Sequence, residues 1–250
     1  MGVILEGKGI TRNFGGLRAL AGVDIAVTRG EIFGLIGPNG AGKSTLLSVL
    51  CGVCPPSSGR VYFGGRDITS LKPHRVCRLG ISRVLQTPRP FPSMSVLENV
   101  AVGAIFGGRD RLKGGSAVEE ADSILRFMDI RGKQDFPVGR LTLQEKKLVE
   151  MARALASKPE VLLIDEVMSG LNPTEIEEAM RLVRKVRDEL GVTVVWIEHV
   201  MRAIMGVAER VMVLDYGQAI ALGSPGEVAQ NEKVIEAYLG KGMGAMSTGG

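Results

Sequence analysis

The sequence predicts an α/β domain: a mostly parallel central sheet with flanking helices, an antiparallel β subdomain near the N-terminus, and a helical insertion. Three observations point there. Short, mostly apolar runs at 161–164, 192–197 and 210–214 alternate with helical stretches, as strands buried on both faces do. A further apolar run at 31–36 passes through a glycine-rich loop directly into an apolar helix. Between about 88 and 157 the periodicity becomes helical instead.

The elements follow in order. Residues 3–36 alternate short apolar runs with glycine turns at 15–16 and 29–30, as antiparallel strands do. Residues 44–52 read as a helix, 54–59 as a loop and 61–63 as a short strand ending at Gly64 and Gly65. Residues 81–85 read as a strand leading to Gln86. Pro88, Pro90 and Pro92 then break the chain. Ser95 and Glu98 have capping-box spacing and open an apolar helical run. Residues 107–115 form a glycine-rich loop expected to be mobile, and Val118, Ala121, Ile124, Leu125 and Met128 mark the next helix. Thr142 and Glu145 repeat the capping box before a helix with Leu148, Met151, Ala152 and Leu155 on one face, and Pro159 ends it. Residues 173–190 are amphipathic, and 215–218 turn the chain into 219–222. We expect one domain over 1–240, with the helical subdomain inserted at about 88–157 and a flexible glycine-rich tail at 241–250.

Composition narrows the classes. Hydrophobic residues are 45% of the 250, enough for a sizeable core, and aromatics only 4%, so aliphatic side chains must fill it. A formal charge of +4 without clustered basic residues gives no reason to expect nucleic acid. Cys51 and Cys54 have C-x-x-C spacing, but no second pair exists and the histidines are only His74 and His199. Three unpaired cysteines, Cys77 included, fit a reducing cytosol better than a redox or metal site. The N-terminus lacks the pattern of a signal peptide, and no apolar run approaches the roughly 20 residues that span a bilayer. A cytoplasmic protein is expected, with any membrane part supplied by a partner.

The loop carries the first chemistry. Gly37, Pro38, Asn39, Gly40, Ala41, Gly42, Lys43, Ser44 and Thr45 fit G-x-x-x-x-G-K-[ST] between a strand and a helix. Glycines let backbone N–H groups approach phosphate oxygens, and the helix N-terminus favours negative charge. Lys43 is placed to reach the β- and γ-phosphates, and the Ser44 hydroxyl to ligate Mg²⁺. Asp165 and Glu166 end an apolar strand, where α/β sheets bind ligands. Asp165 suits Mg²⁺, directly or through water; Glu166 suits a general base or a group orienting water. Gln86 and His199 also follow strands. Gln86 could reach Mg²⁺ or the attacking water, and His199 the γ-phosphate and that water. Trp196 lies inside an apolar strand and is expected in the core.

Together these elements resemble the ATP-binding subunits of ABC transporters, whose fold is a P-loop NTPase core, over nearly the whole chain. The resemblance implies ATP and Mg²⁺ as cofactors. It places the Q-loop glutamine on Gln86, the catalytic glutamate on Glu166, the switch histidine on His199 and the adenine-stacking aromatic on Phe14. The D-loop falls on Ser169, Gly170, Leu171 and Asn172. Residues 14–17, 86–99 and 170–173 look like the branched-chain amino acid importer group. The implied partners are transmembrane permease subunits holding the chain at the inner face of the membrane, an extracytoplasmic solute-binding protein reached indirectly, and a second ATP-binding subunit.

One segment departs from the family. Where Leu-Ser-Gly-Gly-Gln is usual, the chain has Leu141, Thr142, Leu143, Gln144 and Glu145. A positive φ at either lost glycine would now cost roughly 1–2 kcal/mol. Glu145 would repel a triphosphate unless its capping box occupies it, with Lys146 and Lys147 placed to offset it. Val167 replaces the usual proline. The signature serves the partner's ATP, so an asymmetric heterodimer with a different ATPase is expected, with self-association as the other possibility. A non-transport ABC switch acting on nucleic acid, the ribosome or a signalling partner is the alternative class. It usually needs two ATPase domains or long insertions, which this chain lacks. A hydrolytically silent regulator is a third reading, opposed by Glu166 and His199.

Overall fold

The computed structural model describes residues 2–108 and 115–239. Most of the predicted mobile loop at 107–115, and the predicted tail at 241–250, lie outside the described residues. The chain forms two compact units, one from residues up to 70 together with those from 193 onward, the other from 71–192.

The first unit opens with β1 (Val3–Phe14), β2 (Leu17–Thr28), β3 (Ile32–Ile36), α1 (Lys43–Leu50), β4 (Ser58–Phe63) and β5 (Arg66–Asp67). The second contains α2 (Pro73–Leu79), β6 (Ile81–Val84), α3 (Val96–Phe106), α4 (Gly115–Phe127), α5 (Leu143–Ala156), β7 (Val161–Asp165) and α6 (Pro173–Leu190). The chain then returns to the first unit with β8 (Thr193–Ile197), α7 (Met201–Val207), β9 (Arg210–Asp215), β10 (Gln218–Gly223), α8 (Pro225–Ala229) and α9 (Glu232–Leu239).

In the first unit β1 and β2 pair antiparallel across the two-glycine turn, and β1 pairs antiparallel with β4. The expectation of antiparallel strands over 3–36 fails for its last segment. β3 runs parallel to both β8 and β9. The reason lies in burial: all five residues of β3 are buried, and a strand covered on both faces belongs in a parallel layer. β8 is equally buried, with Trp196 fully enclosed as predicted. Gly34 lets helix α7 approach this layer; a Cβ there would lie 2.6 Å from the Ile204 side chain.

In the second unit β6 and β7 pair in parallel, Ile81 opposite Val161 through Val84 opposite Ile164. The capping boxes predicted at Ser95 and Thr142 both form, and start α3 and α5. Helix α4 buries Ala117, Ala121, Ile124 and Leu125, whereas Val118 is exposed. The inward stripe thus starts one residue before the position its spacing suggested.

Candidate functional site

The glycine-rich loop joins β3 to α1 and is shaped by its surroundings. Gly37 has φ +148°, and a Cβ there would lie 2.0 Å from the Leu214 carbonyl oxygen. Gly42 caps α1 at φ +102°, with the Ala19 oxygen 2.5 Å from a would-be Cβ. Any side chain at either position would push the loop off its seat. Lys43 opens α1 and is 5% exposed. Its Nζ donates to the Gly37 carbonyl at 2.8 Å and the Pro38 carbonyl at 3.0 Å. The ammonium is therefore held against its own loop, largely desolvated. Ser44 is exposed, while Leu46, Leu47 and Leu50 anchor the helix in the core.

Two other predicted residues of this unit sit at turns. Phe14 ends β1 and is 47% exposed, and the Arg12 guanidinium lies over its ring at 4.6 Å from the centroid. His199 is exposed just after β8, beside the buried Glu198.

In the second unit the structure brings together residues far apart in sequence. Asp165 ends β7 and is 4% exposed. Its Oδ2 accepts from Arg83 Nη2 at 2.5 Å. Glu166 leaves the strand at φ +48°, a left-handed conformation unusual for a glutamate. Its Oε2 accepts from Gln86 Nε2 at 2.6 Å.

The altered signature also resolves physically. Residues 143 and 144 lie inside α5, and neither is among the described residues with positive φ. The loss of both glycines carries no backbone penalty. What changes is the surface: Leu143 is 59% exposed and Gln144 donates to Glu175 at 3.4 Å. Glu145 is occupied, as a capping box requires. It accepts from the Thr142 amide at 2.8 Å and the Thr142 hydroxyl at 3.0 Å, and pairs with Lys133. Lys133 first, and the Thr142 amide second, hold its carboxyl below the ordinary glutamate range. Lys133 therefore supplies the charge expected of Lys146 and Lys147. Lys147 is buried and donates instead to the Ser169 carbonyl at 2.7 Å, while Lys146 reaches the Gly139 carbonyl at 3.5 Å. Ser169, Gly170, Leu171 and Asn172 precede α6, and Asn172 caps it in a box with Glu175.

Sequence reasoning missed Arg83, Lys133 and the role of Lys147. Arg83 left one signal, a cation inside a short apolar strand, which implies a buried counter-charge. Lys133 and Lys147 left none that could be told from solvated surface charges.

The family described as ABC transporter matches residues 20–169. The chain belongs to the ABC transporter family. It is thus a nucleotide-binding cassette and an ATPase of the transporter class. A second family, described as branched-chain amino acid ATP-binding cassette transporter, matches residues 220–243. The cassette is 34% identical over 250 residues to the high-affinity branched-chain amino acid transport ATP-binding protein BraF of Pseudomonas aeruginosa, covering 95% of this chain and 98% of that one. It is 36% identical over 252 residues to the probable branched-chain amino acid transport ATP-binding protein LivG of Methanocaldococcus jannaschii, with the same coverage. Among solved structures, an ABC transporter cassette in its ADP conformation aligns with TM-score 0.87 at 34% identity, covering 96% of this chain and all of that one. A bacterial ABC transporter cassette solved as a dimer aligns with TM-score 0.81 at 26% identity, covering 89% and 99%. Among the described residues no helix is long and apolar enough to cross a membrane.

Proposed function

We propose that this cassette binds ATP with Mg²⁺ and hydrolyses it to energise a membrane importer of branched-chain or related amino acids. The observation that carries the reading is the preformed glycine loop with Lys43 buried against it. Such a loop has its donors in place before a triphosphate arrives. The amino acid reading is supported by the names of BraF and LivG and by the match at 220–243.

The donors assigned to the metal are the Ser44 hydroxyl, the Gln86 amide and the Asp165 carboxylate, which are hard oxygen groups suited to Mg²⁺. When bound, Mg²⁺ would neutralise charge on the phosphate oxygens. The remaining work falls to the chain. Lys43 exchanges two loop carbonyls for phosphate oxygens. Phe14 offers the adenine a ring face. Glu166 accepts the proton of the attacking water, and Gln86, now holding its Oε2, orients that carboxylate. His199 contacts the γ-phosphate and the water.

Permease subunits would hold the cassette at the inner face of the membrane and receive solute from an extracytoplasmic binding protein. A second cassette would complete the ATP sites. The exposed Leu143 and the anchored Glu145 at the start of α5 favour a different cassette as that partner. Uptake of labelled leucine, measured in cells lacking the chain and re-expressing it, tests the reading. Restoration by the wild type and not by Lys43→Ala is expected. Equal uptake with and without the chain overturns the solute assignment.

A further inference from the structure

We propose that Arg83 is a positioning residue for the metal at Asp165: its guanidinium holds the rotamer of the carboxylate that meets the metal's ligand shell. The inference rests on the reading of Asp165 as a metal-binding carboxylate and names the group that holds it in place.

The observations are local to the β6–β7 pair. Arg83 stands opposite Leu163 in the parallel register, so its side chain must extend along β7 to reach Asp165. It does so with Nη2 2.5 Å from Oδ2, the two side chains being 14% and 6% exposed. Its strand neighbours Ser82 and Val84 are buried. Desolvating a guanidinium among such residues is costly. A purely structural account is weak, because buried ion pairs replaced by well-packed apolar residues often leave stability unchanged or raised. β6 and β7 already share a parallel ladder whose other members are apolar or small.

Control of the carboxylate is what the pair adds. A guanidinium is planar and approaches a carboxylate in a set orientation, which an ammonium does not impose. Groups that hold metal ligands in this way typically change metal affinity by about 10–100-fold when removed. Repulsion between the guanidinium and the metal runs the other way. Were it the larger effect, removing Arg83 would tighten metal binding, so the sign of the change is decisive.

The experiment is a Mn²⁺ titration, read by electron paramagnetic resonance, of the full chain loaded with a non-hydrolysable ATP analogue. The wild type should hold Mn²⁺ more tightly than the analogue alone. Arg83→Met should weaken that affinity by about 10–100-fold, and Arg83→Lys by less, with analogue affinity in chelator unchanged. Unchanged or tightened Mn²⁺ affinity in the folded variants overturns the proposal. If Arg83→Met does not fold, Arg83→Lys decides alone: wild-type affinity there overturns it. If the wild-type chain adds nothing to the analogue's own Mn²⁺ affinity, the metal reading of the site fails first, and this inference with it.

Discussion

Under the proposed function, Lys43 is a side chain already placed for its ligand. Its ammonium is out of water and satisfied by two loop carbonyls, so on the proposed function phosphate oxygens would replace those contacts without a new desolvation cost. Charge-assisted hydrogen bonds are worth about 1.5–3 kcal/mol each. Lys43→Ala should therefore lower ATP affinity by at least about tenfold, measurable by calorimetry; wild-type affinity would remove Lys43 from the phosphate site. Glu166 is prepared differently, in a left-handed conformation with its carboxylate held by Gln86. Glu166→Gln should retain ATP and lose about 10²–10⁴-fold in turnover, the usual worth of a general base. Near-normal turnover would mean that another group takes the proton.

At the scale of elements, α5 depends on the box at its start. Thr142→Ala should cost about 1 kcal/mol, as the loss of an N-cap commonly does, seen as a lower melting temperature. Glu145 adds a pH dependence whose sign follows from its partners. Lys133 and Thr142 depress its folded-state value below the ordinary glutamate range. Its contribution is complete above that range and is lost as pH falls through the depressed value. As pH falls through and below the ordinary glutamate range, the wild type should therefore lose stability faster than Glu145→Gln; parallel curves would show that the ion pair contributes nothing. The box itself was legible from four residues, as were the buried strands from their apolar runs. Shorter elements were not: α2, α7 and α8 span too few residues for a helical period to show. Strand direction in β3 was misread because the segment was grouped with the strands before it, although its apolar run already marked a strand covered on both faces. The contacts Arg83–Asp165 and Gln86–Glu166 join residues 82 and 80 positions apart, and no local pattern encodes such pairs.

For the molecule as a whole, the open question of partnership turns on α5. Backbone geometry does not bar residues 143 and 144 from a signature role, so side chains alone distinguish this surface from the glycine form. Light scattering of Glu166→Gln with MgATP should show a monomer that binds nucleotide. A homodimer would show that this signature serves a second copy. Adding Leu143→Gly and Gln144→Gly should then promote ATP-dependent self-association if the side chains obstruct it. Whichever partner arrives, the buried ammonium of Lys147 has a kinetic consequence. It ties α5 to the Ser169 carbonyl, and so couples the two segments proposed to face a partner. On that proposed reading, a surface ordered before contact loses less freedom when a second cassette binds, which favours faster association.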